Sequence, residues 1–233
     1  MAARDFQGED PGLRGGEDPG ISRAAELSAL GHRRRLPPGA AARIEKAAQD
    51  DPDERARAAA VGALVRVGGV RQAERAWRRA LTDDDPLVRR RVADLGPMLS
   101  ARSGRQLTAA LIPLLADDDT TVVVAAAWAL GESRAGEGSE QDAAAAVAAL
   151  ATVTTDHADA LAREAAVAAL GALGHPDGLD AILAACRDKP TVRRRAVLAL
   201  APFEGAAVDA ALAAASEDKD WQVRQAAEDL GAN

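Results

Sequence analysis

DDTTVVVAAAWALG (118–131) is the stretch whose reading decides the fold. Val122, Ala126 and Leu130 are four residues apart, so at ~100° per residue they form one apolar stripe of a helix. The Asp residues before it suit a helix start, where a carboxylate caps free N–H groups and meets the positive end of the dipole. The Gly after the last Leu reads as the helix stop.

Working outward, the same frame recurs. It stands at DPDERARAAAVGAL (51–64), DDPLVRRRVADLG (84–96), DALAREAAVAALG (159–171), KPTVRRRAVLALA (189–201) and DKDWQVRQAAEDLG (218–231). Equivalent positions are Arg57, Arg89, Val123, Arg163, Arg193 and Arg224, separated by 32, 34, 40, 30 and 31 residues. The long interval holds ESRAGEGSEQ (132–141), a Gly-rich acidic insertion that reads as a loop. A further helix precedes each turn, as in SGRQLTAALIPLLA (103–116) and PDGLDAILAACR (176–187). A helix pair cannot bury its stripe alone, so neighbouring pairs must stack. The expectation is an all-α, right-handed α-α superhelix, a solenoid of about six helix pairs over residues 39–233. Residues 1–20, rich in Gly, Pro and charge, read as a disordered tail. Residues 21–38 read as an N-terminal capping helix and linker.

Composition agrees. Hydrophobic residues make up 48% and aromatic residues 2%, so the core is Ala, Leu and Val, which suits closely packed helices and not sheets. One cysteine, Cys186, excludes an intrachain disulfide and points to a reducing compartment. The start MAARDFQGED has no apolar h-region, and no apolar run has the ~18 residues of a membrane span. A cytoplasmic protein without membrane contact is expected. The net charge of −7 is uneven: residues 39–116 carry +4 and residues 117–186 carry −10. That polarity would orient a partner more than the net value does.

The repeated frame resembles the HEAT repeat (armadillo-like), particularly the short variety of phycobilisome-lyase-like proteins. The resemblance implies a ladder in which an Asp in the turn and an Arg six residues later link adjacent repeats. Asp51 with Arg57, Asp83 with Arg89 and Asp218 with Arg224 keep that spacing. Val123 replaces the Arg in the third unit, and for Arg163 and Arg193 the nearest Asp shifts to Asp156 and Asp188.

Motifs of catalysis are missing: there is no P-loop, GxSxG, HExxH or CxxC. His32, His157 and His175 fall at helix ends and read as turn histidines, and Cys186 reads as a small core residue. The triplets Asp83–Asp85 and Asp117–Asp119 lack the spaced ligands of a calcium loop and read as helix caps. No enzyme activity, metal or cofactor is expected.

The remaining signal lies on one face. With the stripe centred near ~40°, positions two and six residues after its start lie near ~200° and ~240°, away from the core. The resemblance places these second helices on a concave surface. The row is Ala58, Gly62, Arg90, Asp94, Val124, Trp128, Glu164, Ala168, Arg194, Leu198, Gln225 and Asp229. Arg90, Val124, Trp128, Arg194 and Leu198 are the candidate partner-binding residues, with Trp128 as anchor. Trp77 and Trp221 are expected in the core or between repeats. The function read from this is a protein- or peptide-binding scaffold. The alternatives are a nucleic-acid-binding array, which the acidic middle opposes, and a lyase-like enzyme or enzyme subunit.

Overall fold

The computed structural model describes residues 19–132 and 139–231. Residues 1–18, most of the expected tail, and residues 133–138 of the insertion lie outside the described residues. The described chain is an all-α solenoid, without a strand among the described residues. Helix α1 (Pro19–Gly31) is followed by six helix pairs. The first helices are α2 (Ala40–Asp50), α4 (Val70–Ala80), α6 (Thr108–Leu111), α8 (Glu140–Asp156), α10 (Leu179–Ala185) and α12 (Ala206–Ser216). The second helices are α3 (Glu54–Val67), α5 (Pro86–Ser103), α7 (Thr120–Gly131), α9 (Ala160–Leu173), α11 (Pro190–Ala199) and α13 (Trp221–Gly231).

Each second helix packs against the next, from α3 through α5, α7, α9 and α11 to α13, and α1 lies against α3. The buried stripe is the expected one: Val122, Ala126 and Leu130 on α7, and Val192 and Ala196 on α11 with Leu200 just past its end, are all buried. At ~0.8 kcal/mol per buried methylene, stacking of such stripes supplies the driving force. Two first helices are shorter than the sequence suggests. The expected helix 103–116 is split: Ser103 ends α5, Gly104 (φ 65) turns the chain, and α6 passes into a 3-10 turn at Ile112–Ala116 containing Pro113. Pro113 has no N–H for an α-helical bond, which suits the tighter turn. Likewise Pro176–Gly178 forms a 3-10 turn before α10. The insertion reading 132–141 overlaps a helix start, since Ser139 caps α8 and Glu140 and Gln141 are its first residues.

Gly131 and Gly231 do end α7 and α13, but the frame's glycines do more than stop the helix. Gly171 lies inside α9, which ends at Gly174 (φ 60), and Gly131 is a helical residue of α7. A Cβ on Gly171 would stand 2.6 Å from Ala199 Cα, on Gly131 3.0 Å from Ala169 Cα, and on Gly31 2.9 Å from Ala63 Cα. The Leu-Gly signature therefore marks where one second helix meets the next at backbone distance, with Ala as the facing residue.

The implied ladder is present and longer than its sequence spacing suggests. Arg57 donates from Nε and Nη2 to Asp83 (2.9 and 2.8 Å), Arg89 to Asp117 (2.6 and 2.8 Å), Arg163 to Asp188 (2.6 and 2.9 Å) and Arg193 to Asp218 (2.9 and 2.7 Å). Each Arg also donates from Nη1 to the carbonyl that opens its own turn, as Arg89 does to Asp83 (2.7 Å). One guanidinium thus ties two turns together, and its fork geometry matches the carboxylate. Arg23 on α1 adds a rung, its Nε 2.9 Å from Asp51 Oδ2; the pair is ionic, and Asp51 Oδ2 accepts no hydrogen bond.

The ladder is interrupted once. Val123 stands where α7 would carry the Arg, and His157 stands where the following turn would carry the Asp. His157 Nδ1 accepts from Asp159 N (3.0 Å), as Asp117 Oδ1 accepts from Asp119 N (3.0 Å). Its carbonyl accepts from Arg163 (2.7 Å). His157 therefore keeps both turn-building bonds of the Asp without its charge, and Val123 is fully buried. Asp156, the nearest acid by sequence, is exposed and takes no rung.

Candidate interaction face

The acidic triplets divide their labour. Asp83 and Asp117 accept the rungs, while Asp85 and Asp119 cap α5 and α7 by accepting from Leu87 N and Thr121 N (2.8 Å each). Hydrogen bonds from Arg89 hold the Asp117 carboxyl below the usual carboxylate range, and those from Arg163 and Arg193 do so at Asp188 and Asp218. At Asp83 burial is the largest single effect and opposes ionisation, but the bonds from Arg57 and Asp85 N with the charges of Arg57 and Arg89 together outweigh it. Among the described residues, no group of three His, Cys, Asp or Glu could hold a metal ion. Cys186 lies just past α10 in a cleft against α12, and burial pushes its thiol up to about 11, so it is protonated near neutral pH.

The outward face of the second-helix layer is different. Trp128 on α7 is 50% exposed and Arg90 and Arg194 are exposed, while Val124 and Leu198 are half-buried against the core. Arg90 on α5 and Trp128 on α7 belong to adjacent helices; Arg194 and Leu198 lie two helices further along, on α11. The start of the row does not open outward as expected. Ala58 and Gly62 are buried, and the guanidinium groups of Arg66 and Arg91 pack over Gly62.

Trp221 corrects a second expectation: it is 64% exposed at the first turn of α13 and not in the core. With Arg194, Leu198, Gln225 and Asp229 it lines a cleft of ≈ 310 Å³ between α11 and α13. Trp77, by contrast, is fully buried, with Nε1–H donating to Val92 O (2.7 Å). Leu87 on α5 and Leu161 on α9 are also exposed. Sequence reasoning missed Leu87, Leu161 and Trp221 because the frame was counted only forward. One and two residues before the stripe, the same rotation gives ~260° and ~160°, the flanks of the outward face. Four consecutive repeats of the layer, α5 to α11, and then α13 thus each present an apolar side chain there.

This architecture defines the chain as a stacked helical-repeat protein. The family model described as HEAT repeats matches residues 147–230, and the same frame and rungs continue through the preceding helices. Among solved structures, a crystal structure of an engineered protein is 20% identical, covers 87% of this chain and 94% of its own, and superposes with a TM-score of 0.53, which supports the fold. Human deoxyhypusine hydroxylase in complex with glycerol (21% identity, 93% of this chain and 80% of that chain) and a second engineered protein (17% identity, 93% of each) give TM-scores of 0.44 and 0.48. No curated protein matches the chain. Among the described residues, no helix is long and apolar enough to cross a membrane.

Proposed function

We propose that this chain is a non-catalytic cytoplasmic scaffold that binds a protein segment along the outward face of its second helices. The observation that carries the reading is the row Leu87, Trp128, Leu161, Leu198 and Trp221, with the exposed cations Arg90 and Arg194 set along it. An exposed Trp costs the free protein apolar hydration, and apolar anchors at two levels of one rigid face, Leu87, Leu161 and Trp221 in first turns and Trp128 and Leu198 about two turns further on, suit a bound segment. The solenoid is held by its rungs before a partner arrives, so little ordering is lost on binding. A partner with apolar side chains and flanking acids would match this face.

The test is to isolate a partner by pull-down and measure its affinity for the Trp128→Ala protein. The expected result is a loss of about 2 kcal/mol, roughly 30-fold in Kd, with the melting temperature nearly unchanged. A large stability loss with unaltered binding per folded molecule would overturn the reading.

A further inference from the structure

Arg66, at the end of α3, and Arg91, on α5, converge on one backbone point. A Cβ on Gly62 would stand 3.2 Å from Arg66 Nη1 and 3.4 and 3.5 Å from Arg91 Nη2 and Nε. Two like charges are therefore close neighbours over a bare stretch of helix. The rung arginines of this array, by contrast, each have a carboxylate: Arg57, Arg89, Arg163 and Arg193 are all doubly hydrogen-bonded to Asp. Among the described residues, Arg66, Arg90 and Arg91 make no hydrogen bond and no ion pair.

Asp94 is the carboxylate within one turn of Arg90 and Arg91. It influences both electrostatically but makes no ion pair within 4.0 Å with either. Arg66 is not needed to cap its own helix either, since Arg102 donates to Leu64 O, Val65 O and Gly68 O at the end of α3. Burial and then the charge of Arg66 push Arg91 below its ordinary range, while burial pushes Asp94 up. Burial is the first cause at both groups; the charge of Arg66 adds to it at Arg91, whereas Arg90 and Arg91 oppose it at Asp94.

We infer that Arg66 and Arg91, with Arg90 at the rim and Gly62 as floor, form an oxyanion-binding site for a phosphoryl or carboxylate group. Guanidinium forks from two helices offer several donors to one anion, and the missing side chain at Gly62 is what lets the two forks approach each other over the helix. The site stands whether or not Trp128 binds a partner, because its probe is a small anion.

The experiment follows the arginine Nε–H signals of the isotopically labelled full chain by NMR at constant ionic strength. One arm adds inorganic phosphate, the other acetate. Saturable shifts at Arg66 and Arg91 are expected, weakened at least tenfold in Arg91→Gln. Saturation by phosphate alone assigns a phosphoryl ligand, and saturation by both anions assigns a carboxylate-accepting site. Non-saturating shifts equal to those at the exposed Arg33 and Arg187 would overturn the site, as would undiminished affinity in folded Arg91→Gln. If Arg91→Gln does not fold, Arg66→Gln, at the last turn of its helix, carries the same comparison.

Discussion

On the turn edge of the array Arg89 donates two hydrogen bonds to Asp117, whereas Arg90, the next residue, reaches the outward face and makes none among the described residues. Arg193 and Arg194 repeat the contrast, with Arg193 bound to Asp218 and Arg194 exposed. One step along a helix turns a side chain by ~100°, enough to move it from a shared turn to solvent. The edge spends its charge inside the fold and holds neighbouring repeats in register. The face leaves charge and apolar area unspent, which is what a binding surface requires. Trp77 and Trp128 show the same division among aromatics, one buried with its N–H satisfied, the other half in water.

Acid should break the edge as a whole and gives the largest effect. Asp83, Asp117, Asp188 and Asp218 are held below the ordinary carboxylate value in the folded chain. As pH falls the unfolded chain therefore takes up protons first. The rungs' contribution is complete above roughly pH 5 and is lost as pH falls through about 4 and then through the folded values. Urea midpoints measured from pH 7 to 3 should fall steeply below about pH 4.5; a flat profile would mean the rungs contribute nothing.

A single rung tests the same point with a smaller loss. Arg89→Ala strands Asp117, whose side chain is only 7% exposed, without its cation. Breaking a buried pair in this way costs about 3 kcal/mol. Chemical denaturation measures it, and a loss under about 1 kcal/mol would place the rung with ordinary surface pairs.

The gap at Val123 and His157 sharpens the comparison, because the missing rung can be rebuilt. Val123→Arg alone buries an unpaired guanidinium and should destabilise. His157→Asp alone adds a carboxylate without its cation. Together they recreate the Arg89–Asp117 arrangement, and a double-mutant cycle should give a favourable coupling of at least about 1 kcal/mol. Zero coupling would show that α7 and α9 hold their turns too far apart for a rung.

How much of this was legible in sequence depends on what each feature needs. The helix frame needs only spacing, and Val122, Ala126 and Leu130 are buried as the stripe requires. Rungs whose turns keep six residues, such as Asp83 to Arg89, were legible for the same reason. Asp188 sits five residues before Arg193, because that turn is one residue shorter. His157 was missed because a different side chain supplies the same acceptor, and Arg23 because the repeated frame was counted only from Asp51 onward. Gly131 does end α7, but Gly171 lies inside α9 and was misread as a helix stop, since a close interhelical approach and a helix end both select glycine. The pair Arg66 and Arg91 depends on side-chain paths across two helices, which spacing along one helix does not contain. On the candidate face, Trp128 was legible from rotation alone, while Trp221 needed the frame extended backward.

The smallest expected effect lies on the face itself. Arg90 is exposed, touches no carboxylate, and is separated from the α5 stripe by most of a half-turn. Removing it breaks no hydrogen bond and leaves no acid buried alone, in contrast to Arg89. Arg90→Ala should therefore change stability by less than about 0.5 kcal/mol, the range for surface substitutions away from any network. It could even stabilise slightly, because it relieves repulsion on Arg91. The measurement is the urea midpoint of Arg90→Ala beside that of Arg89→Ala in one buffer. A loss comparable to Arg89→Ala would mean that the outward face is part of the fold's own support, and would remove the charge argument for a partner. A negligible loss leaves Arg90 without a structural task, and its place on the outward face of the helix next to that of Trp128 is then what a partner has to explain.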